Sequence, residues 1–139
     1  MGAWAALIKA RAAVVPLLEA EVAAKGLPLS WYDVLLVLNA APDRRLRMSE
    51  LGEQAVLSRT RVSRVVAELE EAGLAIRYSD GLDRRSSFAE ITANGRRRLR
   101  QVAPTYLRGI QRHFAGYLTD DEVRVITRAL TRVLEAEVS

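Results

Sequence analysis

The chain has 139 residues, half of them apolar, and this length and composition predict one domain with a real hydrophobic core. It contains no cysteine and one histidine, which excludes disulfides, thiolate zinc sites, cysteine nucleophiles and thiol redox sensing. No apolar stretch approaches the roughly 20 residues of a membrane span, and the N-terminus lacks the pattern of a signal peptide. We therefore expect a cytoplasmic protein without a metal or other cofactor.

The net charge of +4 is concentrated in the middle of the chain. Residues 44–112 contain 15 Lys and Arg against 8 Asp and Glu, whereas the segments on either side each carry a small acidic excess. Because affinity for a polyanion rises with each phosphate that is neutralised, this distribution predicts a phosphate-binding face. A solvated arginine-rich surface is the alternative at this point.

The first two helices are predicted from apolar spacing and capping residues. Apolar residues recur at helical spacing over residues 3–24, and this first helix ends before Gly26. Ser30 and Asp33 have the spacing of a capping box, in which both side chains bond to free amides at a helix start. We therefore expect a second helix from Ser30 to Ala41.

Two helices joined by a tight turn form a helix-turn-helix candidate. The first is expected over residues 49–55 and the turn over residues 56–58. The second helix is expected from Arg59 to about Ala72, and Gly73 ends it. After this glycine the apolar pattern changes from helical spacing to alternation, which predicts a β-hairpin.

The predicted hairpin has strands at residues 74–78 and 87–91, with an Asp-Gly pair favouring the chain reversal between them. Thr92 is expected to cap a fifth helix that runs to Tyr117, with a bend at Pro104. A second capping-box pattern, at residues 119–122, starts the last helix. The predicted fold is therefore mainly α with a small two-stranded β wing.

The helix from Arg59 has one apolar face and one face suited to DNA. Four apolar residues at i, i+3, i+4 and i+7 define the buried face: Val62, Val65, Val66 and Leu69. The side chains expected to contact DNA are the outward Thr60 and Arg64, the flanking Arg61 and Ser63, and Ser58 and Arg59 at the helix start. Arg59 is expected to grip a phosphate or lie along the surface. Glu68 and Glu71 would repel phosphates, so the helix should enter a groove by its N-terminal half. An ordinary surface helix is the alternative.

The turn of the wing carries the run Asp-Arg-Arg-Ser, starting at Asp83. An exposed arginine at a hairpin tip can enter the narrow minor groove of A·T-rich DNA, and a neighbouring carboxylate can orient it. We expect Arg85 to take this role, with Asp83 as its support and Arg84 on a backbone phosphate. A solvated turn pair is the alternative.

The run at residues 47–74, which reads Leu-Ser-Arg-Thr-Arg-Val-Ser-Arg at its centre, closely resembles the MarR family of bacterial transcriptional regulators. The later Asp-Arg-Arg-Ser and Ile-Thr-Ala-Asn-Gly runs fit the same family, and the order of segments matches over nearly the whole chain. The resemblance implies a single domain over residues 1–139. Its winged helix-turn-helix lobe would span residues 29–92, and its dimerisation helices would lie in residues 1–28 and 93–139. In the family, the third residue of the Asp-x-Arg wing motif enters the minor groove, and here that residue is Arg85.

The first and last helices also predict a homodimer by themselves. Both carry apolar stripes but flank the DNA-binding unit, so a symmetric partner would complete their core. An isologous dimer would place two recognition helices about 34 Å apart, one turn of DNA, and would bind an inverted-repeat operator in double-stranded DNA. A monomer with its terminal helices packed on the central lobe is the alternative.

The resemblance further implies that a small ligand acts near the first, second and fifth helices. Trp4, Trp31, Tyr32 and His113 are the candidate pocket walls, although ordinary packing would also explain each of them. We expect a sequence-specific transcriptional regulator, a repressor that a phenolic or aromatic-acid-like ligand releases. The alternative is a ligand-independent winged-helix module that binds DNA architecturally or binds another protein. An enzyme is not expected, because no glycine-rich phosphate loop, metal cluster or catalytic carboxylate pair is visible.

Overall fold

The fold is known from a computed structural model that describes residues 2–81 and 83–138, apart from the side chains at positions 80 and 83–85. The elements are α1 (Gly2–Ala23), α2 (Leu29–Ala40), β1 (Arg45–Arg47), α3 (Met48–Gln54), α4 (Arg59–Glu71), β2 (Ala75–Asp80), β3 (Asp83–Ile91), α5 (Ala93–His113) and α6 (Asp120–Val138). Short 3₁₀ turns lie at Pro42–Arg44 and Ala115–Tyr117. The predicted order of helices and hairpin is confirmed.

Three helix starts have side-chain caps, and the sequence predicted those of α5 and α6. The hydroxyls of Ser58 and Thr92 each accept a backbone N–H from three residues farther on, at 3.1 and 3.0 Å. Thr119 and Glu122 form the reciprocal capping box, with bonds of 3.1 and 2.9 Å. These caps satisfy amides that have no partner within the helix, so α4, α5 and α6 begin where local chemistry predicts.

The capping box predicted at Ser30 is wrong. Helix α2 begins at Leu29, and its N-cap is Pro28, which makes no side-chain capping bond. The carbonyl of Pro28 accepts the first helical bond, from the amide of Tyr32 at 3.1 Å, so Ser30 lies inside the first turn. The carboxyl of Asp33 is therefore not used as a cap, and it lies half-buried beside α1.

The burial of Asp33 leads to a pH-dependent stability. Burial, with a smaller contribution from the charge of Glu19, raises the pKa of Asp33 to about 6 from its ordinary value of 3.8. Between these two values the folded state binds the proton more tightly, so the stabilisation present near pH 4 is lost as the pH rises through 6. We expect Asp33→Asn to remove this loss and to stabilise the protein at pH 7.5 by about 1–2 kcal/mol. Urea unfolding from pH 4 to 7.5 at one protein concentration measures the change in the free energy of unfolding. As a control, Asp43→Asn, at an exposed carboxylate, should keep the wild-type pH profile.

The predicted two-stranded wing is present as β2 and β3, and a third strand that the sequence did not predict, β1, joins it to form the sheet. The order is β1-β3-β2, and β1 pairs antiparallel with β3, placing Leu46 opposite Ala89. A three-residue strand of sequence Arg-Leu-Arg is too short for an alternating pattern to reveal. Strands β2 and β3 also extend beyond the predicted residues 74–78 and 87–91, which makes the hairpin longer.

Helix α5 is shorter than predicted. It ends at His113, because Phe114 leaves the helical conformation with φ −138° and ψ −74°, and a 3₁₀ turn continues the chain. Within the described ranges, no helix is both long and apolar enough to cross a membrane.

The buried core belongs to the helix-turn-helix lobe and its sheet. It includes the four α4 residues predicted from the apolar spacing, together with side chains of α2, α3, α5, the three strands and the C-terminal part of α1. In contrast, α6 contributes no buried residue, and the first half of α1 is exposed. The single chain therefore leaves the apolar faces of its two terminal helices uncovered.

Candidate nucleic-acid interface

The N-terminal half of α4 presents a basic face to solvent. Arg59, Thr60, Arg61 and Arg64 are exposed, and Ser63 is half-buried. Their positions follow from the opposite face, where the predicted valines and leucine lie in the core and fix the rotation of the helix. Ser58 is exposed as well, and its hydroxyl already accepts the capping hydrogen bond. The structure therefore brings the six α4 residues predicted for DNA contact onto one end of one helix.

The acidic end of α4 is held in place by a tryptophan. The indole Nε1 of Trp31 on α2 donates a hydrogen bond of 3.3 Å to Oε1 of Glu68. This carboxylate is exposed and lies on the outer side of the helix, as the sequence indicates. A phosphate backbone would approach the other end of α4, where the arginines lie.

A cleft of 640 Å³ lies between α3, α4 and the sheet, and the sequence did not predict it. Its basic lining residues are Arg47, Arg59 and Arg77. The side chain of Arg77, on β2, donates from Nη1 to Oγ of Ser63 at 3.1 Å and from Nη2 to Oγ of Ser87 at 3.4 Å. Arg77 thereby joins α4 to the wing.

A second arginine fixes the outer strand of the wing. Arg47 on β1 donates a bond of 3.0 Å to Oγ of Ser86, and its guanidinium lies 4.9 Å from the ring centroid of Phe88. The Phe88 ring stacks on Tyr78 at 5.6 Å, and Arg45 donates to the Tyr78 hydroxyl at 3.2 Å. These contacts tie all three strands together on the face that points away from the helices.

Arg47 and Arg77 line the cleft, and the sequence reasoning missed both of them. A signal for Arg77 was available, because it lies two positions after the buried Ala75 and so shares the inner face of β2. A side chain on this face of β2 points toward α4, where Ser63 accepts the hydrogen bond of Arg77. No comparable signal marked Arg47, because its strand escaped prediction.

The tip of the wing remains a prediction. The backbone of Asp83, Arg84 and Arg85 belongs to β3, but their side chains lie outside the described residues. Three assignments therefore remain predictions from the sequence: Arg85 in the minor groove, Arg84 on a phosphate and Asp83 as a support.

The four candidate effector residues lie in separate environments. Trp4 is 64% exposed on α1, and Trp31 is engaged with Glu68. Tyr32 is buried against Tyr106 of α5, with ring centroids 4.5 Å apart. The cleft beside α4 is formed by other side chains, and so is a second cavity, which is lined by Gln111, Ala115, Gly116, Leu118, Asp120, Val123 and Arg124.

Two of these residues have a clear structural role. Burial raises the pKa of Tyr32 to about 12, so its phenol stays protonated as it packs between α2 and α5. Nε2 of His113 lies 2.7 Å from Oε1 of Glu21, which joins the end of α5 to α1. The hydrogen bond from His113 holds the pKa of the Glu21 carboxyl below its usual value.

Comparisons with known proteins agree with this geometry. The sequence model of the MarR family matches residues 25–86. The HTH-type transcriptional regulator MhqR of Bacillus subtilis is 32% identical over 108 residues, which cover 78% of this chain and 72% of MhqR. Sco3205, a MarR family transcriptional regulator from Streptomyces coelicolor solved in complex with DNA, is 30% identical with a TM-score of 0.87, over 96% of this chain and 88% of its own. The PcaV transcriptional regulator from the same organism, solved with its natural ligand, is 32% identical with a TM-score of 0.65, over 77% of this chain and 74% of its own.

Proposed function

The chain belongs to the MarR family of DNA-binding transcriptional regulators, and from this we propose that it is a homodimeric repressor that binds an inverted-repeat operator. The observation that carries the proposal is the exposed basic N-terminal half of α4, fixed by a buried apolar face on the same helix. The family consists of transcriptional regulators, which confirms the expectation that the protein is not an enzyme.

The proposed dimer is supported by the terminal helices. A helix gains most of its stability from packing its apolar face, yet the 19 residues of α6 include no buried side chain. Its apolar residues Val123, Leu130 and Val133 are exposed, and so are Leu7 and Ile8 of α1. A second copy of the chain would cover both stripes and would set two α4 helices on successive turns of one DNA face.

Selection of bound duplexes from random DNA tests the proposal. A repressor of this kind should enrich one inverted repeat and prefer it by about 10³-fold or more over random sequence. Its half-sites should be centred about 10 base pairs apart. A preference below about tenfold would instead indicate a winged-helix module that binds DNA architecturally.

Arg64 is the side chain that we expect to contribute most to base recognition. It is exposed on the outer face of α4, and an arginine in the major groove can bond to guanine with both of its terminal nitrogens. Arg64→Ala should weaken operator binding by about 10–100-fold and relax the preference at one base position of each half-site. Anisotropy titrations with all four bases at each position measure this loss. Arg128→Ala removes the same charge from α6 and should leave the operator preference intact.

A small ligand is proposed to release the protein from its operator. The proposal is supported by the relative PcaV, which was solved with a ligand, and by the aromatic pair that Tyr32 and Tyr106 form between α2 and α5. Phenols or aromatic acids would suit such aromatic surroundings. Thermal-shift screening against a panel of these compounds, followed by operator titrations with each stabilising compound, tests the idea. A compound that raises Tm and leaves operator affinity unchanged would contradict it.

A further inference from the structure

The arginines of the cleft beside α4 are held by neutral groups. Arg77 bonds to the hydroxyls of Ser63 and Ser87, and Arg47 bonds to the hydroxyl of Ser86. The ion pairs that Arg112, His113 and Arg124 form in the described part of the chain include none of the three cleft arginines, Arg47, Arg59 and Arg77.

A hydroxyl acceptor orients a guanidinium without cancelling its charge. A carboxylate in the same place would neutralise the arginine, as paired charges do elsewhere on protein surfaces. The Ser63 oxygen accepts from Arg77 and still has its own O–H to donate. The cleft therefore combines oriented positive charge with free hydrogen-bond donors, and these are the groups that bind a phosphate.

The lining of the cleft has the composition of an anion site. Three arginines and four serines line it, while Glu53 is its one acidic lining residue in the described part of the chain. The cleft is continuous with the exposed basic face of α4, because Arg59 at the start of α4 lines the cleft too. An anion in the cleft would thus lie between the helix that reads the major groove and the strands that carry the wing.

We propose that this cleft binds one backbone phosphate of DNA in each subunit, with Arg77 as the contact. Through its bonds to Ser63 and Ser87, Arg77 also positions the wing against α4. A single phosphate bound by Arg77 is therefore linked to both α4 and the wing. The inference rests on the DNA-binding function proposed above. It does not depend on recognition of a particular operator, because a phosphate contact carries no sequence information.

Salt titration with a random-sequence duplex of about 30 base pairs tests the proposal. Each lost phosphate contact should reduce the slope of log Kd against log salt concentration by about 0.9 per subunit. Arg77→Gln should show this reduction, whereas Arg128→Gln on α6 should keep the wild-type slope. The duplex lacks an operator, so the result stands apart from whether the protein has a preferred sequence.

Two further variants separate charge from orientation. Arg77→Lys keeps the charge and should retain the slope, which gives a readout even if Arg77→Gln unfolds. Ser63→Ala with Ser87→Ala removes the hydroxyl acceptors, and we expect the slope to stay while affinity for the duplex falls about 3–10-fold. An unchanged slope for Arg77→Gln, or an equal reduction for Arg128→Gln, would overturn the proposal.

A phosphate group has two possible sources here, the DNA backbone and a free phosphorylated compound. Calorimetric titration with inorganic phosphate in the absence of DNA distinguishes them. We expect no saturable binding at millimolar phosphate, because a DNA site gains its affinity from many contacts at once. Saturable binding that Arg77→Gln abolishes would assign the cleft to a free phosphorylated ligand and would contradict the DNA assignment.

Discussion

Replacing Leu130 with glutamate is expected to make the protein monomeric and to weaken operator binding by about 10²–10⁴-fold, the usual advantage of two linked binding modules over one. Leu130 lies in the middle of α6 and is 38% exposed in the single chain. In the proposed dimer this position is covered by the partner, and a buried carboxylate without a partner charge costs several kcal/mol. Sedimentation measures the oligomeric state, and titration with the operator selected from random DNA measures the loss of affinity.

A matched control places the same glutamate on the other side of the helix. Arg132 lies about 200° around α6 from Leu130, on the side away from the apolar stripe. Arg132→Glu should leave both the dimer and its operator affinity close to wild type. If Leu130→Glu remains dimeric and binds as before, α6 is not part of the interface and the terminal helices pack in another way.

The recognition helix could be predicted from the sequence because its determinants are local. Val62, Val65, Val66 and Leu69 repeat at helical spacing, and Ser58 caps the helix within the same short segment. Burial of four apolar residues on one side leaves the arginines only the other side. The exposed basic face therefore follows from the periodicity alone.

The cleft could not be predicted in this way, because its contacts join distant parts of the chain. Arg77 and Ser63 are 14 residues apart, and Arg47 and Ser86 are 39 apart. The short strand that carries Arg47 forms only because β3 offers it an edge for pairing. Local patterns contain no information about such pairing, so both the third strand and the cleft arginines appear only in the folded chain.

The error at the start of α2 has a local cause instead. Ser30 and Asp33 have the correct spacing for a capping box, but the carbonyl of Pro28 accepts the first helical bond and the helix starts at Leu29. Asp33 is then drawn into a half-buried site against α1. The contacts that place the candidate effector residues in separate environments are distant ones, since Trp31 bonds to Glu68, 37 residues away in sequence.

Gly95→Ala is expected to destabilise the folded protein by about 2–3 kcal/mol, because the junction between the wing and α5 has no space for a methyl group. A Cβ at Gly95 would overlap the carbonyl oxygen of Leu74 and stand 2.7 Å from Cγ1 of Ile91. The Leu74 carbonyl accepts a bond of 3.1 Å from the Thr92 amide, so it cannot withdraw without breaking that bond. Denaturant unfolding at a fixed protein concentration measures the change.

Gly2→Ala provides the matched control for this overpacking. Gly2 is also helical, but a Cβ built there meets no atom within 4 Å, so the same methyl group should change the stability by less than about 1 kcal/mol. At Gly95 the stability lost through the steric overlap should exceed the small gain in helix propensity that alanine brings. A Gly95→Ala protein as stable as wild type would mean that Leu74 and the start of β2 can shift away from α5. The wing would then be less firmly attached to the lobe than the hydrogen bonds of Thr92 to residues 73 and 74 indicate.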